Sequence, residues 1–100
     1  MKYDDEFLEE LETRVYQEAE TIASNAEEEN SCEQLMTVVV RSEIFEFYVD
    51  VNMFNRHYDE TTNSVTYKSS VVCTGVPETN NKRLKKFMYE NIYFETLYRD

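Results

Sequence analysis

The sequence predicts one α+β domain spanning residues 1–100, ordered α-β-β-β-α, with a three-stranded antiparallel sheet carrying helices on one face. Three observations predict it: a long apolar stripe of helical period near the start, a change to period-two alternation from Met36 onward, and renewed helical spacing after the single proline. At 100 residues, 41% of them hydrophobic, the chain suits one compact core and not two. Eight tyrosines and six phenylalanines add large buried areas per residue. One glycine and one proline argue for long regular elements joined by short turns, and against a disordered chain.

Residues 4–26 carry the first stripe. Phe7, Leu11, Val15, Ala19, Ile22 and Ala26 recur at spacings of three or four, which is one face of a helix. Asp4 or Asp5 can cap its start, and the acids of its first turns suit the positive end of the helix dipole. Glu27-Glu28-Glu29 suit the far end badly, so the helix is expected to stop near Asn25 or Ala26 before a solvated turn. From Met36 the alternation begins: Met36, Val38 and Val40 are apolar on even positions, then Phe45, Phe47, Val49, Val51 and Met53 on odd ones. Such a parity change would turn side chains to the wrong face in a continuous strand, so Arg41-Ser42-Glu43 is a tight turn or a bulge, with a turn between two strands favoured. A third strand is expected from about Val65 to Thr74, with Val65, Tyr67, Val71 and Cys73 on one face. If odd residues of both strands face the core, the loop around Thr61-Thr62-Asn63-Ser64 must be odd in length, or even with a bulge. Gly75-Val76-Pro77 ends the sheet. Asn80 or Thr79 can cap a second helix through Leu84, Phe87, Met88, Asn91, Phe94 and Tyr98, although Ile92, Tyr93 and Phe94 also favour strands.

The formal charge of −11 is the strongest compositional signal. It disfavours nucleic acid and anionic membrane as partners and favours basic surfaces. Residues 1–35 hold twelve acids and two bases, whereas residues 80–100 hold five bases and three acids, so the imbalance lies in the first helix and the turn after it. A 23-residue helix is about 35 Å long at roughly 1.5 Å per residue. Its acids, continued by Glu27 to Glu29, then fall about every 3 to 4 Å, matching the roughly 3.4 Å axial spacing of phosphates on one DNA strand. Such a face can imitate a nucleic-acid backbone. The competing account is a solvated helix rich in Glu because Glu forms helices well and aids solubility. In size and acidity the chain resembles small phage-encoded inhibitors, such as anti-restriction and anti-CRISPR proteins. It is a resemblance of type that carries no motif.

Catalytic chemistry finds little support. One glycine excludes the phosphate-binding and nucleophile-elbow motifs that need two or more. His57 lies beside Asp59 and Glu60, but a single His without a second ligand at the right spacing makes a poor metal site. Cys32 and Cys73 are too few for a disulfide framework, and Cys73 reads as a small apolar strand residue. Lys82-Arg83-Leu84-Lys85-Lys86 admits three readings: the exposed first turns of a helix, a weak nucleic-acid contact, or a counter-charge for the acidic helix, within the chain or across a dimer. No apolar run reaches the roughly 18 to 20 residues of a membrane span. The opening residues have no apolar stretch behind them, so no secretory leader is expected.

The sequence therefore predicts a non-enzymatic acidic binding protein, without cofactor or metal. It would act in the cytoplasm (the host cell's, if viral) as an inhibitor or regulator occupying the basic groove of a nucleic-acid-binding protein. Asp5, Glu9, Glu10, Glu12, Glu20, Glu27, Glu28 and Glu29 are the expected contacts, with Tyr48 as an exposed aromatic one. Direct nucleic-acid and membrane binding are not expected, and the sequence leaves a homodimer open. The alternative is a small assembly protein whose sheet and aromatic residues form a homo-oligomer.

Overall fold

A computed structural model describes residues 2–26, 33–93 and 96–99, with the backbone alone at residue 55 and at 96–99. The elements run α1 (Asp5–Ser24), β1 (Glu33–Val40), β2 (Glu43–Asp59), β3 (Ser64–Gly75), α2 (Lys82–Asn91) and β4 (Thr96–Arg99). Among the described residues the fold is α+β, with two helices and one antiparallel sheet in the order β1-β2-β3-β4. The sheet has four strands, not the three the sequence predicts. The segment that continues the helical stripe after α2 instead pairs along the open edge of β3, with Val71 opposite Tyr98.

Each boundary follows from local chemistry. Asp4 caps α1, its carboxylate accepting from the Phe7 amide at 2.9 Å. The helix ends at Ser24, with Asn25 as C-cap. One carbonyl of the last turn, that of Ala23, accepts from the buried Ser69 hydroxyl of β3 at 2.9 Å, which ties the helix end to the sheet. Asn81, rather than Asn80 or Thr79, caps α2 through the Leu84 amide at 3.0 Å.

Parity governs the sheet. Met36 pairs with Phe47 and Val38 with Phe45, so even residues of β1 share a face with odd residues of β2. The two-residue loop Arg41-Ser42 makes this register, and both residues have positive φ (49° and 70°), the signature of a type I′ hairpin turn. Neither is glycine or asparagine, so the turn is strained. Ser42→Gly is expected to stabilise the domain by about 1 kcal/mol, or roughly 4–8 °C in Tm, measured by thermal unfolding.

The β2–β3 hairpin takes the even-loop-with-bulge solution. Asp59 pairs with Ser64 across the four residues between them, and the register shifts between Phe54 and His57. Beyond that bulge Val49 faces Cys73 and Val51 faces Val71, all buried. Val65, expected on the core face, is 40% exposed because it lies out along the hairpin, past the end of the core. The long hairpin contributes to an elongated molecule of 56 × 19 × 19 Å.

The core unites Phe7, Leu8, Leu11, Val15, Ala19 and Ala23 of α1 with Met36, Val38, Val40, Phe45, Phe47, Val49, Val51, Val71 and Cys73 of the sheet. Leu84, Met88 and Ile92 complete it. Ala23 replaces Ile22 and Ala26 on the fully buried stripe, and those two are only partly buried. At the N-terminal end of α1 the rings of Tyr3, Phe7 and Phe45 stack edge to face, at 4.9 and 6.0 Å between centroids.

Candidate protein-binding face

A 20-residue helix with one buried stripe has two flanks, and α1 divides its acids between them. Asp5, Glu9, Glu12 and Glu20 recur at helical spacing and line one shallow groove with Leu8, Tyr16 and Phe87. From Asp5 to Glu20 this flank runs about 22 Å at roughly 1.5 Å per residue. Glu9, Glu12 and Glu20 have no cation partner among the described residues. Glu9 and Glu20 are exposed and Glu12 half-buried, so their charge reaches solvent.

Two expected contacts are partly neutralised from within. Glu10 turns to the other flank, where Arg41 of the β1–β2 turn lies 3.2 Å away and Arg14 3.5 Å away. Arg41 also reaches Glu6 at 3.9 Å and lies over the Phe7 ring at 5.7 Å. Asp5 is bridged by Arg83 of α2, whose guanidinium also donates to the Tyr3 carbonyl at 2.7 Å. The basic run thus supplies an internal counter-charge at one position, while Lys86 pairs with Glu90 at 4.0 Å. Lys82 and Lys85 are exposed.

Glu27, Glu28 and Glu29 lie outside the described residues, as do Cys32 and Phe94. Tyr48 is 53% exposed but stands at an even β2 position, on the side of the strand away from the core that α1 joins. It is therefore not brought together with the acidic flank. Its ring instead lies over Gly75: a Cβ added there would meet the Tyr48 ring at 3.2 Å, so the exposed ring would have to give by a few tenths of an ångström. Around Tyr48 the outer side of the sheet carries Leu35 (50% exposed), Val39 (47%) and Ile44 (64%), an apolar patch that sequence reasoning missed. The signal was present in Val38-Val39-Val40 and Leu35-Met36, where both faces of β1 are apolar.

A second overlooked cluster sits at the end of the sheet. Glu43 opposes Val40 and so points to the core side, where its Oε1 accepts from the Tyr3 hydroxyl. Its Oε2 is buried without a hydrogen bond, with the Lys2 ammonium 3.4 Å away. That carboxylate, and then burial, push the Tyr3 phenol above its ordinary value. Burial likewise pushes the Cys73 thiol up, and Cys73 is free. Hydrogen bonds from the Thr61 hydroxyl and amide hold Asp59 below the usual carboxylate range, as befits a hairpin-loop acceptor.

His57 is exposed, and among the described residues no His, Cys, Asp or Glu group forms a metal-binding cluster. No helix among them is long and apolar enough to cross a membrane. The chain matches no protein-family model, no curated protein and no solved structure.

Proposed function

We propose that the protein is a non-enzymatic inhibitor or regulator that presents the Asp5–Glu9–Glu12–Glu20 flank of α1 to a basic groove of a nucleic-acid-binding protein, in place of nucleic-acid phosphates. The observation that carries this reading is the row of carboxylates along one flank whose last three members have no cation partner among the described residues. The arrangement takes both helices to cover the same face of the sheet. Tyr16 and Phe87 border the carboxylates and offer apolar contact beside the charge. Glu10 is left out, because Arg14 and Arg41 already hold it.

The test is affinity for purified nucleic-acid-binding proteins with basic grooves, measured across a salt series with and without competing DNA. Binding is expected to weaken steeply with salt and to be displaced by DNA, as for a ligand that occupies phosphate sites. Glu9→Gln, Glu12→Gln and Glu20→Gln should each weaken it about two- to fivefold, the scale of an exposed ion pair. Glu10→Gln should change it least. Salt-insensitive binding, or binding of protein and DNA together, removes the proposal.

The second reading, a homo-oligomer through the sheet, is favoured by a separate observation: the exposed Leu35, Val39, Ile44 and Tyr48 beside an edge strand.

A further inference from the structure

Strand β1 has β2 on one side and, among the described residues, no strand on the other. Exposed edges in folded proteins are commonly blunted by lysine, proline, a bulge or very short length. β1 has eight residues, no lysine, proline or glycine, and an unbroken register with β2, whereas the β2–β3 and β3–β4 pairings are both irregular. Its outward row reads Glu33, Leu35, Thr37 and Val39, while Arg41 of the turn reaches to the α1 side, to Glu10, Glu6 and the Phe7 ring. Read in reverse about Thr37, that row matches itself: Leu against Val, and Thr against Thr.

We propose that β1 pairs antiparallel with β1 of a second copy, across a twofold axis at Thr37. In this register Leu35 opposes the second copy's Val39 and Thr37 opposes its own copy. Opposed residues of an antiparallel pair share a face, so the core sides of both sheets stay aligned. Sliding the register by two residues sets Leu35 against Thr37, or against Arg41 of the turn, and loses the match of Leu with Val. The correct register also extends pairs already present within one chain. Ile44 faces Val39, and Leu35 faces Tyr48. Pairing β1 to β1 therefore makes two unbroken apolar rows, each running Ile44, Val39, the second copy's Leu35 and its Tyr48. Exposed β-branched and aromatic neighbours across strands stabilise such rows. Each row closes over exposed apolar surface that a lone chain leaves in water. Arg14, Gln17 and Glu18 of α1 border Thr37, Val38 and Val39, so the helix flank nearest the axis carries both charge signs and can meet its copy. This interface stands independently of the acidic flank, which lies on the Phe87 side of α1.

Two chains of charge −11 repel one another over the Debye length, so association should strengthen with salt, the reverse of binding through the acidic flank. The experiment is sedimentation velocity over a concentration series up to about 100 μM, at low salt and at about 0.5 M salt, where the expected mass is twice that of one chain. Val39→Lys, on an exposed position, should return the monomer with its circular dichroism unchanged. Register is read by cross-linking in a Cys32→Ser background. Thr37→Cys chains should link to one another under mild oxidation. Leu35→Cys chains alone should not, and Leu35→Cys mixed with Val39→Cys should. Neutralising Glu9, Glu12 and Glu20 should leave the dimer intact, which separates this interface from the acidic one. A monomer under all conditions overturns the proposal, as does a dimer whose Leu35→Cys chains link as readily as its Thr37→Cys chains.

Discussion

Phe47→Ala is expected to cost about 3–5 kcal/mol, the usual loss for removing a fully buried phenylalanine. Phe47 is completely buried on the second strand and pairs with Met36 of the first, so both the lost contacts and the residual void fall inside the core. A domain of this size has roughly 5–15 kcal/mol of stability in all, so the variant should lose about 15 °C or more in Tm. Urea unfolding measures it. The neighbouring Tyr48 supplies the control, since it is 53% exposed and Tyr48→Ala should cost about 1 kcal/mol or less. Equal costs at the two positions would mean that the alternation assigned to β2 is wrong.

Tyr3→Phe is expected to destabilise by about 1–3 kcal/mol although it removes one oxygen atom, because the loss falls on its partner. Glu43 then keeps a core-side carboxylate with no hydrogen bond to Oε1, while Oε2 already has none. The same contact gives the wild type an alkaline weakness. Donation to the carboxylate and burial raise the phenol above its ordinary value near 10. A raised value means the folded state holds the proton more tightly. The stabilisation is therefore complete below about pH 10 and is lost as pH climbs through the folded value. Chemical denaturation from pH 8 to 11 should show wild type and Tyr3→Phe converging at the alkaline end. A constant gap between them would sink the assignment.

Much of the fold was legible because parity in a strand is arithmetic. The change from even to odd apolar positions across Arg41-Ser42-Glu43 called for a turn or a bulge there, and the structure has a two-residue turn, Arg41-Ser42, with Glu43 already in β2. The same arithmetic left two solutions for the β2–β3 loop, and the bulge near Phe54 is one of them. The end of the chain was not legible. Residues after Asn91 fit both a helical stripe and a strand, and what decides between them is the free edge of β3, some twenty residues earlier in the sequence. Three-dimensional neighbours also redistributed the acids. Nothing local to Glu10 announces Arg41, which lies 31 residues away, and nothing local to Asp5 announces Arg83. The acidic flank was visible as a spacing, while which of its members stay unpaired was a question of tertiary structure.

The two flanks of α1 face different ways, and this has a consequence for valency. Contact made through the β1 side leaves the Phe87 side open, so a paired molecule displays two charged arms at a fixed separation. A target with twofold-related basic clefts would then be gripped twice. The second grip forms at the high effective concentration set by the first, and avidity can exceed what either arm achieves alone by orders of magnitude.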